Sequence, residues 1–480
     1  MKRIIVLLVC LLAAVLLTAF ACYAKKELET GNQQDLFSNG IFRITDSGRY
    51  VFAGKYEGQI LIETDRDDVV ELVLEGLTLH NPNGPAIFAP RSRRVELILA
   101  DGTTNTISDG RHPNDDTNAV IYIQHDLIIS GNGTLNVKGD FHHGIRAQDY
   151  LIVRGGIINV TAVGDALRGR DGVIIENGTF TLTAGGDGIQ SNNNSNPERG
   201  FITINGGIFA IKAGDDGLQA ETNLTINGGD FTISAVDDGM TTKGPVLITG
   251  GTIRVTESYE GIEGLNITIT GGDISVFAKD DGINAREHRG NTSMRGRFMM
   301  RGAVNDNVFI RFAGGNIHVV VPDGDTDGID SNGHIFLEGG TLHLSGPSRI
   351  MAGAIDSDGA FVVTGGELIT AGSIESIDAN STQPIFHTAF NSQYPSGSVI
   401  EAKDVSGRTL LEHTAGIAFS MAGFTSQHFS VGETYSIYIN NEKVQDITLN
   451  SIVTNQVSGR GFGGPGGFGG GGRMQRGSGF

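Results

Sequence analysis

The sequence predicts an all-β protein, a right-handed parallel β-helix with coils of about 22 residues and a small C-terminal β region. The first observation behind this prediction is a repeat of "GG" or "NG" pairs. The second glycine of each pair falls at Gly156, Gly178, Gly207, Gly229, Gly251, Gly272, Gly315, Gly340 and Gly366. The intervals between these glycines are 22, 29, 22, 22, 21, 43, 25 and 26 residues, and the longest two contain polar insertions.

The second observation is that apolar residues keep register with these glycines. Two residues after each glycine stand Ile158, Phe180, Phe209, Phe231, Ile253, Ile274, Ile317, Leu342 and Leu368. Apolar residues also recur four positions after most of these glycines, and this alternation is the period of a β-strand. A unit of this length cannot bury its apolar face alone, whereas stacked units can. Parallel crossovers are right-handed as a rule, and a β-propeller would need blades of about 40–45 residues.

The chain begins with a segment typical of an export signal. Lys2 and Arg3 precede an apolar run, Ile4–Ala21, whose one polar residue is Thr18, so residues 1–21 are predicted to be a signal peptide outside the fold. Cys22 follows and is a candidate lipidation site, the alternative being plain secretion. An uncleaved anchor stays open, because the run is close to a membrane span in length. We therefore expect an extracellular protein, secreted or lipid-anchored at the bacterial cell surface, that meets a membrane only through this anchor.

The repeat divides the rest of the chain into three predicted segments. The parallel β-helix spans residues 40–375, with less regular coils at its start. Residues 385–457 lose the period but still alternate, which predicts a small β-sheet, a sandwich or a cap. The glycine-rich segment 458–480 is predicted to be disordered. We expect a monomer with no nucleic-acid partner, and the formal net charge is −19.

One acidic position recurs in most coils, usually just before a glycine. It holds Asp165, Asp187, Asp216, Asp238, Glu260, Asp281 and Asp327, and Asp215, Asp237 and Asp280 precede three of them. Stacked coils would bring these carboxylates about 4.8 Å apart, where two charges repel by about 3.5 kcal/mol at an effective dielectric near 20. Turn chemistry explains one Asp-Gly per coil, with Asp capping its own turn and Gly supplying positive φ. It does not explain the doubled acids, which need a counter-ion or shifted pKa values.

Calcium is the cofactor that this acidic pattern predicts, because it takes about six to eight hard oxygen ligands. Amide and carboxylate side chains three residues after the acids complete such a ligand set. The predicted metal ligands are Asp187, Asp215, Asp216, Asp237, Asp238, Glu260, Asp280, Asp281, Asp327, Gln190, Gln219, Glu263, Asn284 and Asp330. Magnesium is a weaker candidate, because it keeps its waters.

Several short stretches also carry a resemblance to a known family. They are "NGPAIF" at 83–88, "LADGTTNTISDG" at 99–110, the "DGI" turns, the "GG" strands and the glycine-rich tail. Their order resembles the calcium-containing, carbohydrate-binding parallel β-helix family of secreted bacterial proteins, which is pectate-lyase-like in shape. The resemblance covers roughly residues 40–457. It implies a right-handed β-helix, bound calcium and binding of plant cell-wall polysaccharides, acidic ones included. The departures are an Arg- and Met-rich insertion at 286–302 and Glu260 in place of Asp.

The function predicted from these features is extracellular, calcium-dependent binding of cell-wall polysaccharides, including acidic (uronate) glycans. Calcium held by the acidic column could bridge to uronate carboxylates. The cationic side chains predicted to contact the glycan are Arg146, Arg168, Arg286, Arg289 and Arg295. The arginines of the insertion could equally form a solvated loop that balances charge. The absence of Trp argues against a flat aromatic platform for neutral crystalline glucan.

Two other functions stay open. A pectate-type polysaccharide lyase needs a cation near the uronate carboxylate and a base at the adjacent carbon, and Arg146 and Arg168 occupy the same position in adjacent coils. Ion pairing within the column is the simpler explanation of both arginines, and no motif commits the chain to chemistry, so no catalytic residue is predicted. The third hypothesis is a surface adhesin or structural spacer, which a rigid rod with an anchor and a tail would suit.

Overall fold

The chain winds into parallel coils, and each complete coil contributes one strand to each of three sheet faces. The computed structural model describes residues 27–28, 39–110, 117–287, 304–349 and 352–455. Strands are the regular elements of these residues, and the predicted all-β parallel coil architecture is confirmed. No helix in the described part of the chain is long and apolar enough to cross a membrane.

We name the three faces A, B and C in the order in which a coil visits them. Face A is a separate sheet of 13 parallel strands. Its strands are Ile41–Ile44, Gln59–Glu63, Ile87–Arg91, Ala119–Ile123, His143–Ala147, Leu167–Gly169, Ile189–Ser191, Leu218–Ala220, Met240–Thr242, Ile262–Gly264, Ile283–Ala285, Ile329–Ser331 and Ile355–Ser357.

Faces B and C belong to one sheet, because four long strands bend around the corner between them. These four are Gly48–Glu57, Val69–Asn81, Phe309–Val320 and His334–Ser345. The other strands of face B are Glu27–Leu28, Arg94–Leu99, Asp126–Gly131, Tyr150–Val153, Gly172–Ile175, Phe201–Ile204, Leu224–Ile226, Pro245–Ile248, Asn266–Ile269 and Phe361–Val363. Face C also has Thr104–Asp109, Thr134–Gly139, Ile157–Ala162, Thr179–Ala184, Ile208–Ala213, Asp230–Ser234, Thr252–Glu257, Asp273–Phe277 and Glu367–Ala371.

The repeat read from the sequence is the register of the strands. Phe180, Phe209 and Phe231, which stand at equivalent positions in three coils, are paired in register on face C. Their rings stack inside the coils with centroids 4.6 and 4.4 Å apart. The polar insertion at 191–200 lies at the corner from face A to face B, so it lengthens a turn without displacing the next strand, Phe201–Ile204.

The glycines serve two different purposes. All nine anchor glycines, at the corner from face B to face C, have positive φ, for example Gly178 (φ 141) and Gly229 (φ 113). The glycines after the acids have no left-handed φ. The expectation that they supply positive φ to a turn was therefore wrong. They are required by close approach: a Cβ on Gly217 would lie 2.4 Å from the Gly239 carbonyl oxygen and 2.5 Å from Ile233 Cγ2.

A smaller β region follows the last coil. The face C strand Glu367–Ala371 pairs antiparallel with Phe419–Thr425, which pairs with Ile385–Tyr394, and this strand pairs with Val453–Asn455. A four-stranded antiparallel sheet lies beside them, formed by Val399–Lys403, Thr409–Thr414, Thr434–Ile439 and Glu442–Thr448. The region has its own apolar core around Phe386, Phe419 and Phe424, and it occupies the open edge of face C.

Candidate functional site

The turns from face C to face A bring the predicted acids into one column. We call this column the acid ladder: Asp165, Asp187, Asp216, Asp238, Glu260, Asp281 and Asp327. About three residues later, one residue of each face A strand from His143–Ala147 to Ile355–Ser357 adds a second column beside it. We call this second column the polar row: Arg146, Arg168, Gln190, Gln219, Thr241, Glu263, Asn284, Asp330 and Asp356. The predicted stacking of equivalent positions is therefore present in the structure.

Hydrogen bonds join successive members of the acid ladder. The Asp187 carboxylate accepts the backbone N–H of Asp216 at 3.0 Å, and Asp216 accepts that of Asp238 at 2.9 Å. The same contact runs from Asp187 N–H to Asp165 at 3.1 Å and from Glu260 N–H to Asp238 at 3.2 Å. Each acid therefore binds the coil that follows it rather than capping its own turn. The sequence had not indicated this role.

Burial makes ionisation of the ladder costly. Burial, together with the neighbouring carboxylates, raises the pKa of Asp187 to about 7, of Asp216 to about 8, of Asp238 to about 7 and of Asp327 to about 8. Burial raises the pKa of Glu260 as well, and the adjacent Glu263 adds to the shift. A cation among these groups would favour their ionised forms.

The carboxylates approach one another closely enough to share cations. Four groups each offer one oxygen per residue, with the oxygens of a group all within 4.8 Å of one another. The groups are Asp215, Asp216 and Asp237; Asp238, Glu260 and Glu263; Glu260, Asp280 and Asp281; and Asp327, Asp330 and Asp356. Most of the predicted acidic ligands thus fall into several groups along the column, whereas Asp187 belongs to none of these four.

Three amide oxygens of the polar row fit the same purpose. Gln190 Oε1, Gln219 Oε1 and Asn284 Oδ1 are buried and accept no hydrogen bond within the described chain. The amide nitrogen of Asn284 donates to Glu260 at 3.1 Å and to Asp281 at 3.4 Å. A buried oxygen without a donor costs about 1–3 kcal/mol. A hard cation such as calcium would satisfy such oxygens together with the neighbouring carboxylates.

The N-terminal end of the ladder is cationic instead. His143 stands where later coils have an acid, and its Nδ1 lies 3.1 Å from Asp165 Oδ2. Arg168 Nη1 lies 3.1 Å from the same carboxylate oxygen and 3.0 Å from His143 Nε2. Although burial opposes ionisation, these contacts hold the pKa of Asp165 below its usual value. Arg146 instead lies over the Tyr122 ring, 5.2 Å from its centroid.

Of the predicted cationic residues near the insertion, only Arg286 falls in the described chain. Its guanidinium lies 2.5 Å from Glu263 and 3.5 Å from Glu260, so it neutralises one part of the column. Arg289 and Arg295 lie outside the described residues, as do the predicted signal peptide 1–21, Cys22 and the tail 458–480.

Two members of these columns were missed in the sequence. Asp356 follows the Ile-Asp pattern of Ile329 and Asp330, but Ala354 replaces the expected glycine. His143 precedes Gly144 as the acids precede their glycines. A search for any polar residue directly before or directly after a small-apolar pair would have found both.

Comparisons with known proteins identify a family and two similar proteins. The model of a family described as carbohydrate-binding domain-containing protein matches residues 38–303 and 231–403. A carbohydrate-binding domain-containing protein of Acetivibrio thermocellus is 35% identical over 127 residues, which are 25% of this chain and 44% of that protein. The chain therefore matches less than half the length of this relative. A solved structure, a gadolinium derivative of the polysaccharide lyase-like protein from C. thermocellum, is 32% identical and covers 44% of this chain and 88% of its own, with a TM-score of 0.43.

Proposed function

Because the chain belongs to the family of carbohydrate-binding domain-containing proteins, we propose that it is an extracellular, calcium-dependent binder of cell-wall polysaccharides, acidic (uronate) glycans among them. The observation that carries the calcium part is the acid ladder with its neighbours. Four carboxylate groups with oxygens within 4.8 Å, together with unsatisfied buried amide oxygens, form the hard-oxygen environment that calcium prefers.

The residues proposed to hold calcium are those of the four carboxylate groups, joined by the amide oxygens of the polar row. Bound calcium would supply positive charge that can attract a uronate carboxylate. The chain itself orients the ligands, because the hydrogen bonds between Asp187, Asp216 and Asp238 fix each carboxylate against the next coil. Asp237 lies on the exposed side of this column, and carboxylates there are the ones proposed to face a glycan.

Extracellular action is part of the proposal and rests on the export signal read at residues 1–21. Attachment through a lipid on Cys22 is proposed with it. Globomycin treatment of expressing bacteria tests the anchor, because a lipoprotein precursor accumulates when its signal peptidase is blocked. A Cys22→Ala variant that still fractionates with the membrane would contradict lipid attachment.

Metal content and glycan binding test the central proposal together. Elemental analysis of the dialysed protein should find stoichiometric calcium, and affinity electrophoresis should show retardation by polygalacturonate that a chelator abolishes. The double variant Asp216→Asn, Asp238→Asn should lower both, since amides keep the acceptor oxygens of the ladder but lose the charges. Absence of calcium from the wild-type protein would refute the metal site. Absence of retardation by any glycan would refute glycan binding and favour the hypothesis of a surface adhesin or structural spacer.

A lyase reaction has weaker support from the geometry. Arg168 is engaged by Asp165 and His143, and Arg146 contacts Asn118 and lies over Tyr122. A guanidinium would have to be deprotonated to act as a base, and both side chains are already engaged by these contacts. A rise in absorbance from unsaturated products during the same incubations would nevertheless favour the lyase over the binding protein.

A further inference from the structure

Face B carries a group of aromatic and charged side chains that the acid ladder does not involve. We call it the aromatic patch and define it as Phe309, Arg311, Phe336 and Glu338. Phe309 and Arg311 point outward from one strand and Phe336 and Glu338 from the next, since the residues between them on both strands are buried in the core. Arg311 and Phe336 are in register. The patch therefore spans two adjacent coils of the same exposed face.

The patch is held in a defined arrangement. The Phe309 and Phe336 rings meet edge to face, with centroids 6.3 Å apart and planes at 67°. The Arg311 guanidinium carbon lies 5.7 Å from the centre of the Phe309 ring and 4.9 Å from that of Phe336. Arg311 also forms an ion pair with Glu338, and both side chains are 37% exposed. Cation–π contacts and the ion pair thus fix a guanidinium whose other N–H groups remain to donate.

A polar rim adjoins the two rings. The His334 ring lies 6.0 Å from that of Phe336. Its Nδ1 accepts the backbone N–H of Ala360 at 3.0 Å, which leaves the proton on Nε2, 3.3 Å from Asp306. The rim therefore adds two polar groups beside the Arg311–Glu338 pair: the His334 Nε2–H donor and the exposed Asp306 carboxylate.

The sheet itself does not need aromatic residues at these positions. In the coil before, Asn266 stands in register with Phe309, and Thr268 stands in register with Arg311. These smaller polar residues occupy the same outward positions of the same face. Half-buried phenylalanine rings on an exposed sheet face are instead typical of a recognition surface, in which aromatic and arginine side chains contribute most of the binding free energy.

We propose that the aromatic patch is a subsite for an uncharged pyranose unit of the polysaccharide, and that it works without calcium. A pyranose ring presents C–H groups on its faces and hydroxyls around its edge. The phenylalanine rings match the faces, while Arg311 can donate to hydroxyls and Glu338 can accept from them. Because Arg311 and Glu338 neutralise each other, the patch has no net charge to select a uronate. This inference rests on the proposed carbohydrate-binding function and assigns it a second surface.

Affinity electrophoresis of the full-length protein in hydroxyethylcellulose tests the subsite. Wild-type protein should be retarded equally with and without EDTA. The double variant Phe309→Ala, Phe336→Ala should bind at least about tenfold more weakly, whereas Phe336→Tyr should retain binding. Tyr438→Ala is the matched control, because Tyr438 also carries a cation, Lys403 Nζ at 4.8 Å from its ring centre, but lies in the C-terminal sheet. This control should bind as the wild type does.

Glu338→Gln keeps the shape of the patch and should weaken hydroxyethylcellulose binding severalfold, so it decides the matter if the double variant fails to fold. Polygalacturonate run in parallel separates the two proposals. Chelator-sensitive retardation there, retained by the patch variants, would leave the calcium proposal standing whatever hydroxyethylcellulose shows. Absence of wild-type binding to hydroxyethylcellulose, its loss with EDTA, or unchanged binding by folded patch variants would overturn the subsite. Absence of binding to both polymers would refute the proposed function itself.

Discussion

At the scale of single residues, the acids of the ladder combine two tasks that the sequence does not separate. The Asp216 carboxylate accepts a backbone N–H from the next coil and also belongs to a group of three acids within ligand distance of one another. The hydrogen bond needs only an oxygen, whereas the proposed calcium site needs charge. Substitutions that keep one property and remove the other can therefore distinguish them.

The first prediction uses this difference at Asp216. Asp216→Ala should lower the free energy of unfolding by about 1–3 kcal/mol, because the N–H of Asp238 loses its acceptor in a buried place. Asp216→Asn should cost less in the metal-free protein, since its amide oxygen can accept the same hydrogen bond. Denaturant unfolding in EDTA measures both. Equal losses for the two variants would contradict the role of the hydrogen bond.

The second prediction concerns the glycines that follow the acids. Gly217→Ala should destabilise the protein by about 1–3 kcal/mol or more through overpacking, because the added Cβ would lie 2.4 Å from a backbone oxygen of the next coil. Gly84→Ala is the matched control. A Cβ there would have its nearest neighbour at 3.5 Å, and neither glycine has a left-handed φ. Thermal unfolding should show a lower midpoint for Gly217→Ala alone.

At the scale of the element, the ladder titrates as a row of buried carboxyls. Burial raises the pKa of Asp187, Asp216, Asp238 and Asp327 to about 7 or 8, far above the value in an unfolded chain. Between the two values the folded protein binds more protons than the unfolded one. Without metal, this stabilisation is therefore complete in acid and is lost as the pH rises through the folded pKa values.

The third prediction follows for protein in EDTA, which should melt at a lower temperature at about pH 8.5 than at about pH 6.5. Calcium should reverse this trend, because it binds the ionised carboxylates. The comparison stays above pH 6.5 because burial lowers the pKa of His413 to about 3 and of His387 to about 4. Those histidines destabilise the fold only as the pH falls below the usual histidine value. A metal-free protein that melts higher at pH 8.5 would contradict the protonated ladder.

The coils were predictable from the sequence because their signals are local. Gly178 and Gly229 have a φ that side chains rarely adopt, so glycine recurs there and marks the corner. The ladder hydrogen bonds were not predictable, because donor and acceptor lie one coil apart in the sequence. The Asp-Gly pairs are also typical of an ordinary turn. The aromatic patch was not predictable either, because its residues come from two adjacent coils of one face. Phe309 and Phe336 both fit the ordinary alternation of a strand.

At the scale of the whole molecule, each coil makes its main contacts with the two beside it. Strands of face A pair only with the preceding and following coils, from Ile41–Ile44 to Ile355–Ser357. Stability in such a protein is approximately a sum of units and the interfaces between neighbours. The number of coils can then change while the fold of each coil stays the same.

The fourth prediction is that one whole coil can be removed. Deleting residues 217–238 would place Gly239 directly after Asp216, whose carboxylate would then meet the backbone N–H of Glu260. The shortened chain should keep its β-sheet circular dichroism and unfold cooperatively. Deleting only residues 217–227 is the control, and it should disrupt the fold because it removes two strands of one coil, Leu218–Ala220 and Leu224–Ile226, and breaks the register of every later coil. Equal behaviour of both deletions would contradict the modular description.

The ladder also has a direction. Each carboxylate points its acceptor toward the coil that comes later in the chain, from Asp165 through to Asp327, which accepts the N–H of Gly353. Backbone hydrogen bonds between the same turns run the other way, since the Asp216 carbonyl oxygen accepts the N–H of Gly188 in the coil before, whereas the Asp216 carboxylate accepts the N–H of Asp238 in the coil after. The ladder side chains thus give the stack of coils a polarity from its N-terminal to its C-terminal end, which the two-way backbone pairing does not have.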